Sequence, residues 1–65
     1  MPSSVIRAFA YDPAERRLAI RFVSGWRYAY AEVPPEVAQG LRDASSKGEY
    51  FNTLIRDHYP FERLR

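Results

Sequence analysis

The chain lacks cysteine altogether and has a single histidine, His58, among its 65 residues. Without cysteine it can form neither a disulfide nor a thiolate metal site, and one imidazole cannot hold a zinc ion alone. A chain of this length buries only about 60% of the surface that its unfolded form exposes, so its stability should be modest. We therefore expect a fold that depends on apolar packing, with no metal and no cofactor.

Long hydrophobic runs are also missing. No stretch approaches the roughly 20 apolar residues of a membrane-spanning helix, and none has the pattern of a signal peptide. Hydrophobic residues nevertheless make up 46% of the chain, which is enough to build a core and argues against disorder. Because no linker or repeat interrupts the sequence, it predicts one domain over residues 1–65, located in the cytoplasm and without membrane contact.

Candidate catalytic residues are equally scarce. A catalytic triad needs a histidine placed beside a serine and a carboxylate, whereas His58 falls on the apolar stripe of a predicted helix. Its neighbour Asp57 would point about 100° away around that helix. We therefore expect a binding module and no enzyme.

The excess of positive charge is small, since ten lysine and arginine residues face eight aspartate and glutamate residues. Nine of the ten cations are arginine, whose planar guanidinium binds phosphate with two parallel hydrogen bonds and stacks on aromatic rings. A net charge of +2 is low for a nucleic-acid-binding protein, so the placement of the arginines matters more than their number.

The first half of the chain predicts three β-strands. Residues 5–11 are rich in apolar side chains and end at Asp12-Pro13, a pair that is typical of a type I turn. Residues 18–22 and 26–30 alternate apolar with polar or small side chains, as half-buried strands do. The short connections between them predict an antiparallel meander.

The second half predicts two α-helices. Pro34-Pro35 suits the first turn of a helix, and Gly40 inside this helix suggests that the helix is either short or closely packed. Ser46 followed by Glu49 forms a capping box, which begins the second helix, and this helix must end before Pro60.

The predicted fold class is therefore α+β: a three-stranded antiparallel β-meander followed by two α-helices packed on one sheet face, in the order β-β-β-α-α. Phe61 and Leu64 are expected to anchor the tail that follows the second helix.

The connection at residues 23–25 decides which face of the sheet Tyr28 and Tyr30 occupy, because a shift of one residue moves every side chain to the other face. A two-residue turn, Ser24-Gly25, would place both tyrosines beside the arginines of the preceding strand. Such a face could stack RNA bases.

A three-residue loop would instead set Tyr28 opposite Ile20 and Tyr30 opposite Leu18, on one apolar face. We favour this register because Gly25 then stands where the left-handed residue of a bulged hairpin is needed. The tyrosines would belong mainly to the core, with their hydroxyls at its rim. The opposite face would carry Arg17, Arg21 and Arg27 between small alanines, as either a cationic binding surface or a solvated sheet face.

The second predicted helix adds further candidates. Lys47 follows Ser46 at a helix start, where backbone N–H groups can hold a phosphate, although helix capping is the interpretation that we favour for Ser46. Asn52 and Arg56 lie one turn apart and could extend a cationic surface from Lys47, or simply pair with each other.

Short motifs are spread over nearly the whole chain. They are Ser3-Ser4, Tyr11-Asp12-Pro13, the strand from Leu18 to Phe22, Ser24-Gly25, Tyr28-Ala29-Tyr30, Val33-Pro34, the segment from Ala44 to Asn52, Ile55-Arg56 and Tyr59-Pro60. As a set they resemble the KTSC domain, a short module named for its place at the C-terminus of some lysyl-tRNA synthetases and also found free-standing in bacteria. Trp26 departs from the family pattern.

The resemblance implies a free-standing module without a synthetase body, and the attachment of relatives to a tRNA enzyme suggests RNA binding. Our first hypothesis is thus RNA binding through phosphate contacts. The candidate residues are Arg17, Arg21, Arg27, Lys47, Asn52 and Arg56. The alternative is a protein-interaction module or homodimer that uses the exposed aromatic residues Trp26, Tyr59 and Phe61.

Overall fold

One antiparallel sheet and a short helical layer form the computed structural model of this chain, which describes residues 5–64. The Ser3-Ser4 motif lies outside the described residues. The strands are β1 (Ile6–Asp12), β2 (Arg17–Phe22), β3 (Arg27–Tyr30) and β4 (Phe61–Leu64). The helices are α1 (Pro35–Asp43) and α2 (Lys47–Tyr50), and α2 continues directly into a π-helical segment (Phe51–Ile55), called here the π segment.

The strands follow one another across the sheet in the order β1-β2-β3-β4, so the predicted meander is confirmed but the predicted strand count is wrong. The fourth strand pairs with β3, with Phe61 opposite Tyr30 and Leu64 opposite Arg27. It has only four residues, and its apolar Phe61 and Leu64 stand three positions apart, on opposite faces. The sequence therefore shows no alternation there, and pairing with β3 is what makes this segment a strand.

The register at Gly25 is the one that the three-residue loop predicts. Leu18 lies opposite Tyr30 and Ile20 lies opposite Tyr28. The Phe22 N–H donates to the Trp26 carbonyl at 2.9 Å, and the Gly25 N–H donates to the Phe22 carbonyl at 2.9 Å. Gly25 has φ +99°, a left-handed conformation that glycine adopts without steric cost.

Helix α1 begins at Pro35, as the paired prolines predict, and buries Ala38 and Leu41. Gly40 faces the ring of Tyr50, and a β-carbon at this position would overlap that ring. The Tyr50 hydroxyl donates to the Val37 carbonyl at 3.0 Å, so a hydrogen bond also joins the two helices at this contact. Glycine thus lets α1 and α2 approach closely, which is the second of the two alternatives that its position in the sequence suggests.

Helix α2 begins with the predicted cap, since the Ser46 hydroxyl accepts a hydrogen bond from the Glu49 N–H at 3.3 Å. The continuation differs from a regular helix: the Arg56 N–H donates to the Phe51 carbonyl at 2.8 Å, five residues back. The wider turn changes the phase of the helix, and the helix ends before residue 57. The predicted apolar stripe is therefore wrong at Leu54, which is 46% exposed, and at His58, which lies exposed in a turn.

The core lies between one face of the sheet and the helical layer. Its buried members are Ile6, Leu18, Ile20, Tyr30, Val33, Leu41, Phe51 and Ile55. The described helices pack on this face alone, as predicted, so the opposite face of the sheet is open. Among residues 5–64, no helix is long and apolar enough to cross a membrane.

Candidate nucleic-acid interface

Three of the predicted site residues lie together on the sheet face that the helices leave uncovered, called here the open face. Arg17, Arg21 and Arg27 alternate along β2 and β3 with side chains that point into the core. The remaining side chains of the open face are mostly small or short, among them Ala8, Ala10 and Ala19.

Arg21 and Arg27 are direct cross-strand partners, and we call them the arginine pair. Their other direct partners across the sheet are Ala8, opposite Arg21, and Leu64, opposite Arg27, so no carboxylate stands directly opposite either arginine. Like charges in directly opposite positions destabilise a sheet. The fold therefore carries an electrostatic cost at this position.

A shallow depression of about 250 Å³ lies beside the arginine pair and is lined by Ala8, Ala10, Ala19 and Leu64. Arg21 is exposed and Arg27 is half-buried beside these small or aliphatic side chains. The depression thus combines positive charge with apolar surface.

Arg17 has a different environment from the arginine pair. It lies opposite Asp12 on β1, and its guanidinium is 3.9 Å from the Glu62 carboxylate on β4. Both side chains of this ion pair are about half exposed or more, so the contact contributes little to stability. Two carboxylates nevertheless offset the charge of Arg17, and the positive potential of the open face is centred on Arg21 and Arg27.

A second concave surface lies on the opposite side of the sheet, between β3, β4 and the π segment. We call it the aromatic groove; it has a volume of about 580 Å³. Its aromatic lining consists of Phe22, Trp26, Tyr28, Tyr30, Phe51 and Phe61. On this face Leu18 and Ile20 of β2 are fully buried, whereas Phe61 of β4 is 55% exposed.

Five of the six rings of the aromatic groove, all except Trp26, form one connected cluster. Phe61 contacts both tyrosines, with centroid distances of 5.6 Å to Tyr28 and 5.4 Å to Tyr30. Tyr28 and Tyr30 stack at 6.4 Å, and Phe51 meets Tyr30 edge-on at 5.5 Å. Such contacts hold each ring in place, so the groove is preformed.

Two other predicted site residues, Asn52 and Arg56, lie at the rim of the aromatic groove. The Arg56 guanidinium donates to the Asn52 Oδ1 at 3.3 Å, which confirms that they pair one turn apart. Asp57 follows with φ +67°, a left-handed conformation that is strained for a side chain other than glycine. A π segment and a strained residue are both features that concentrate at functional sites.

The tyrosine hydroxyls are used in two different ways. Those of Tyr11 and Tyr50 donate to backbone carbonyls, whereas those of Tyr28 and Tyr30 form no hydrogen bond within the described part of the chain. Residues 5–64 contain no buried side-chain oxygen or nitrogen that lacks a partner. Both Tyr28 and Tyr30 line the aromatic groove.

Burial raises the pKa of the Tyr30 hydroxyl above its ordinary value of 10.0, Tyr28 adds to this effect, and Arg56 opposes it. Tyr30 therefore keeps its proton at neutral pH and can act as a hydrogen-bond donor inside the groove.

Trp26 and Arg63 form one end of this region. The Arg63 guanidinium lies 3.8 Å from the centroid of the Trp26 ring, in a cation–π contact. Arg63 stands opposite Tyr28 on β4, and the sequence pattern did not indicate it as a site residue because β4 itself was not predicted.

Lys47 is separate from both surfaces. It lies at the start of α2, where its ammonium donates to the Ala44 carbonyl at 3.3 Å. The hydroxyl of Ser46 is occupied by the helix cap. Lys47 thus stabilises the end of α1, and the structure does not bring it together with Arg56, which follows the far end of the helix.

The six predicted site residues therefore belong to three places: the open face, the rim of the aromatic groove, and the start of α2. Within residues 5–64 no group of three histidine or acidic side chains could hold a metal ion.

The model of the KTSC domain family matches residues 2–59. The chain is 44% identical over 61 residues to a lysine–tRNA ligase of Nostoc punctiforme, which covers 94% of this chain but only 11% of that relative. It is 42% identical over 65 residues to an uncharacterised protein of Stutzerimonas stutzeri, with 98% of this chain and 92% of the relative covered.

A solved structure shows the same fold. The crystal structure of a KTSC domain protein from Yersinia pestis matches with a TM-score of 0.88 and 32% sequence identity, over 100% of this chain and 94% of the other.

Proposed function

This chain belongs to the KTSC domain family, and we propose that it is a small RNA-binding module that holds phosphate groups on Arg21 and Arg27. The family match confirms the resemblance that the sequence motifs indicate. A closely similar segment forms part of a relative named for a tRNA, which supports RNA as the nucleic acid. That relative is much longer than this chain, so the proposal concerns the module alone.

The observation that carries the proposal is the direct opposition of Arg21 and Arg27. Their mutual repulsion costs stability in the unbound protein, and a phosphate held between them would remove it. Arginine suits this task because its fork of donors matches the oxygens of a phosphate group.

The floor of the open face supports the same proposal. Ala8, Ala19 and Leu64 line the depression beside Arg21 and Arg27, so the ribose that carries the bound phosphate can lie next to it. Contacts of this kind carry little sequence information, and we expect binding that weakens as salt is added.

The proposed module binds RNA without changing it. An arginine side chain stays protonated at physiological pH, so the arginine pair supplies charge and hydrogen-bond donors but no general acid or base. A cytoplasmic setting, where RNA is present, is part of this proposal.

The test is fluorescence anisotropy with a short single-stranded RNA and an RNA hairpin, measured from low to physiological salt. We expect Arg21→Gln together with Arg27→Gln to reduce the slope of log K against log salt by about 0.7 on the single strand, which is the contribution of the one phosphate held between them. The matched control is Arg16→Gln with Arg42→Gln, which removes the same charge from exposed positions in the β1–β2 turn and on α1. Equal slopes for the two double variants would refute the proposal.

Self-association is a second candidate, because Trp26 and Phe61 are 46% and 55% exposed on one side of the molecule. Two such rings could form the centre of a dimer interface. Sedimentation across a range of protein concentrations should then show a dimer whose stability is insensitive to salt. A monomer at every concentration rules this candidate out.

A further inference from the structure

We propose that the aromatic groove binds an unpaired nucleobase of an RNA strand whose phosphates are held by the arginine pair. The inference rests on the proposed RNA binding and adds a second contact on the other side of the sheet. It identifies the ligand chemistry of the groove as a neutral aromatic heterocycle in a single-stranded region.

The rings of the groove provide the stacking surface. Phe61 is 55% exposed and covers the contact between Tyr28 and Tyr30, so it presents its ring area to solvent above a packed support. A base stacks on such a ring regardless of its identity, because every base has a π face.

The polar groups at the rim are of the kind that read the edge of a base. The side-chain amide of Asn52 keeps its N–H donors, since its oxygen accepts from Arg56, and Tyr28 and Tyr30, which line the groove, each carry a hydroxyl. Hydrogen bonds from such groups to an unstacked base are the usual means of recognising single-stranded RNA.

The charge of the rim favours a base over a phosphate inside the groove. Arg56 and Asp57 are neighbours at this rim and carry opposite charges, so the groove itself has little net charge. A phosphate would meet the carboxylate of Asp57, whereas a neutral heterocycle would not. Phosphate binding therefore belongs to the open face and base binding to the groove.

The edge of β4 connects the two surfaces. On this edge Leu64 pairs with Arg27 on the open face, whereas the preceding residue, Arg63, pairs with Tyr28 on the groove side. Arg63 and Trp26 thus stand at the corner between the arginine pair and the groove. A single strand that passes around this edge meets Arg27 and then Arg63 before its base enters the groove.

The first experiment is an NMR titration of the labelled protein with the uncharged ribonucleosides adenosine, guanosine, cytidine and uridine. We expect shifts at the Tyr28 and Phe61 rings and at the Asn52 side-chain amide, unaffected by salt, and none at Arg21 or Arg27. No shift at the groove at the solubility limit of all four nucleosides overturns the inference.

The second experiment uses Phe61→Ala, with Leu54→Ala as the matched control. Both residues are exposed apolar side chains, at 55% and 46%, but Leu54 does not line the groove. We expect Phe61→Ala to weaken binding of single-stranded RNA about tenfold or more while the salt slope stays unchanged, because stacking does not release counterions. Thermal unfolding of both variants checks that each is folded.

The outcomes separate this inference from the proposed function. If RNA affinity depends on the arginine pair but is unchanged in Phe61→Ala, base binding in the groove is refuted and the proposed function stands. If nucleosides shift the groove resonances but the arginine variants do not change RNA binding, base binding in the groove is supported and phosphate binding by the arginine pair is refuted. If the groove resonances shift only when the protein self-associates, and not with nucleosides or RNA, the inference is refuted.

Discussion

The cross-strand pair Arg21 and Arg27 lowers the stability of the fold and, in our proposal, binds RNA. Each is compatible with a strand, and neither is buried, yet their opposition places two positive charges side by side. Natural proteins commonly accept such a local cost where a ligand removes it. The pair is therefore the place where stability and RNA affinity should change in opposite directions.

We expect Arg21→Glu to raise the free energy of unfolding by about 0.2–1 kcal/mol, because it replaces a repulsive cross-strand pair with an attractive one. The same variant should lose RNA binding. Urea unfolding and anisotropy measure the two effects. Arg16→Glu is the control: it changes the net charge equally but lies in the turn between β1 and β2, with no arginine paired opposite it. A stability that falls in Arg21→Glu would contradict this account of the pair.

At the scale of elements, the approach of α1 to α2 depends on the absence of one side chain. Gly40 faces the Tyr50 ring, and the Tyr50 hydroxyl reaches the Val37 carbonyl on the same helix. This close contact sets where α2 and the π segment lie above the sheet. The rim of the aromatic groove therefore depends indirectly on a glycine that is distant from it in sequence.

Gly40→Ala should lower the free energy of unfolding by about 1–3 kcal/mol, because the added methyl group overpacks the contact with Tyr50. By helix propensity alone the change would stabilise α1 by about 1 kcal/mol. In a Tyr50→Ala background the obstacle is gone, and the same substitution should be neutral or stabilising. A double-mutant cycle by urea unfolding checks this coupling. Additive effects would show that the Tyr50 ring is not the cause of the destabilisation by Gly40→Ala.

At the scale of the whole molecule, β4 completes both candidate surfaces. It supplies Leu64 to the open face, Phe61 to the aromatic groove, and Arg63 to the edge between them. It also covers β3, which would otherwise be the outermost strand of the sheet. The last residues of the described chain thus have a structural and a binding role together.

Deleting residues 61–65 should lower the stability by about 2 kcal/mol or more, since each backbone hydrogen bond lost from the β3–β4 pair costs about 1 kcal/mol. Hydrogen exchange should then speed up at the β3 amides that face β4 more than at the β1–β2 pairing. Uniform exchange in the truncated chain, at unchanged stability, would mean that β4 adds nothing to the sheet.

Local patterns in the sequence by themselves determined the meander of β1 to β3, its register and the start of each helix. A glycine at the end of a three-residue loop, a serine before a helix and two prolines act within a few residues, so their effects can be predicted without the rest of the chain. The family could be identified for a related reason, because its motifs follow one another along the chain.

Only the tertiary structure decided on which surfaces the two tyrosines and the predicted cationic residues lie. The register turned Tyr28 and Tyr30 toward the helices as predicted, but the helices leave the β3–β4 half of that face open, so Tyr28 lines a groove as well as the core. That outcome depends on β4, whose pairing spans thirty residues of chain, and on the π segment, whose wider turn changes the phase of its side chains. Contacts between distant segments and a change of helical phase have no local sequence pattern. The sequence therefore could not show that Asn52 and Arg56 lie on a different surface from the arginines of the sheet.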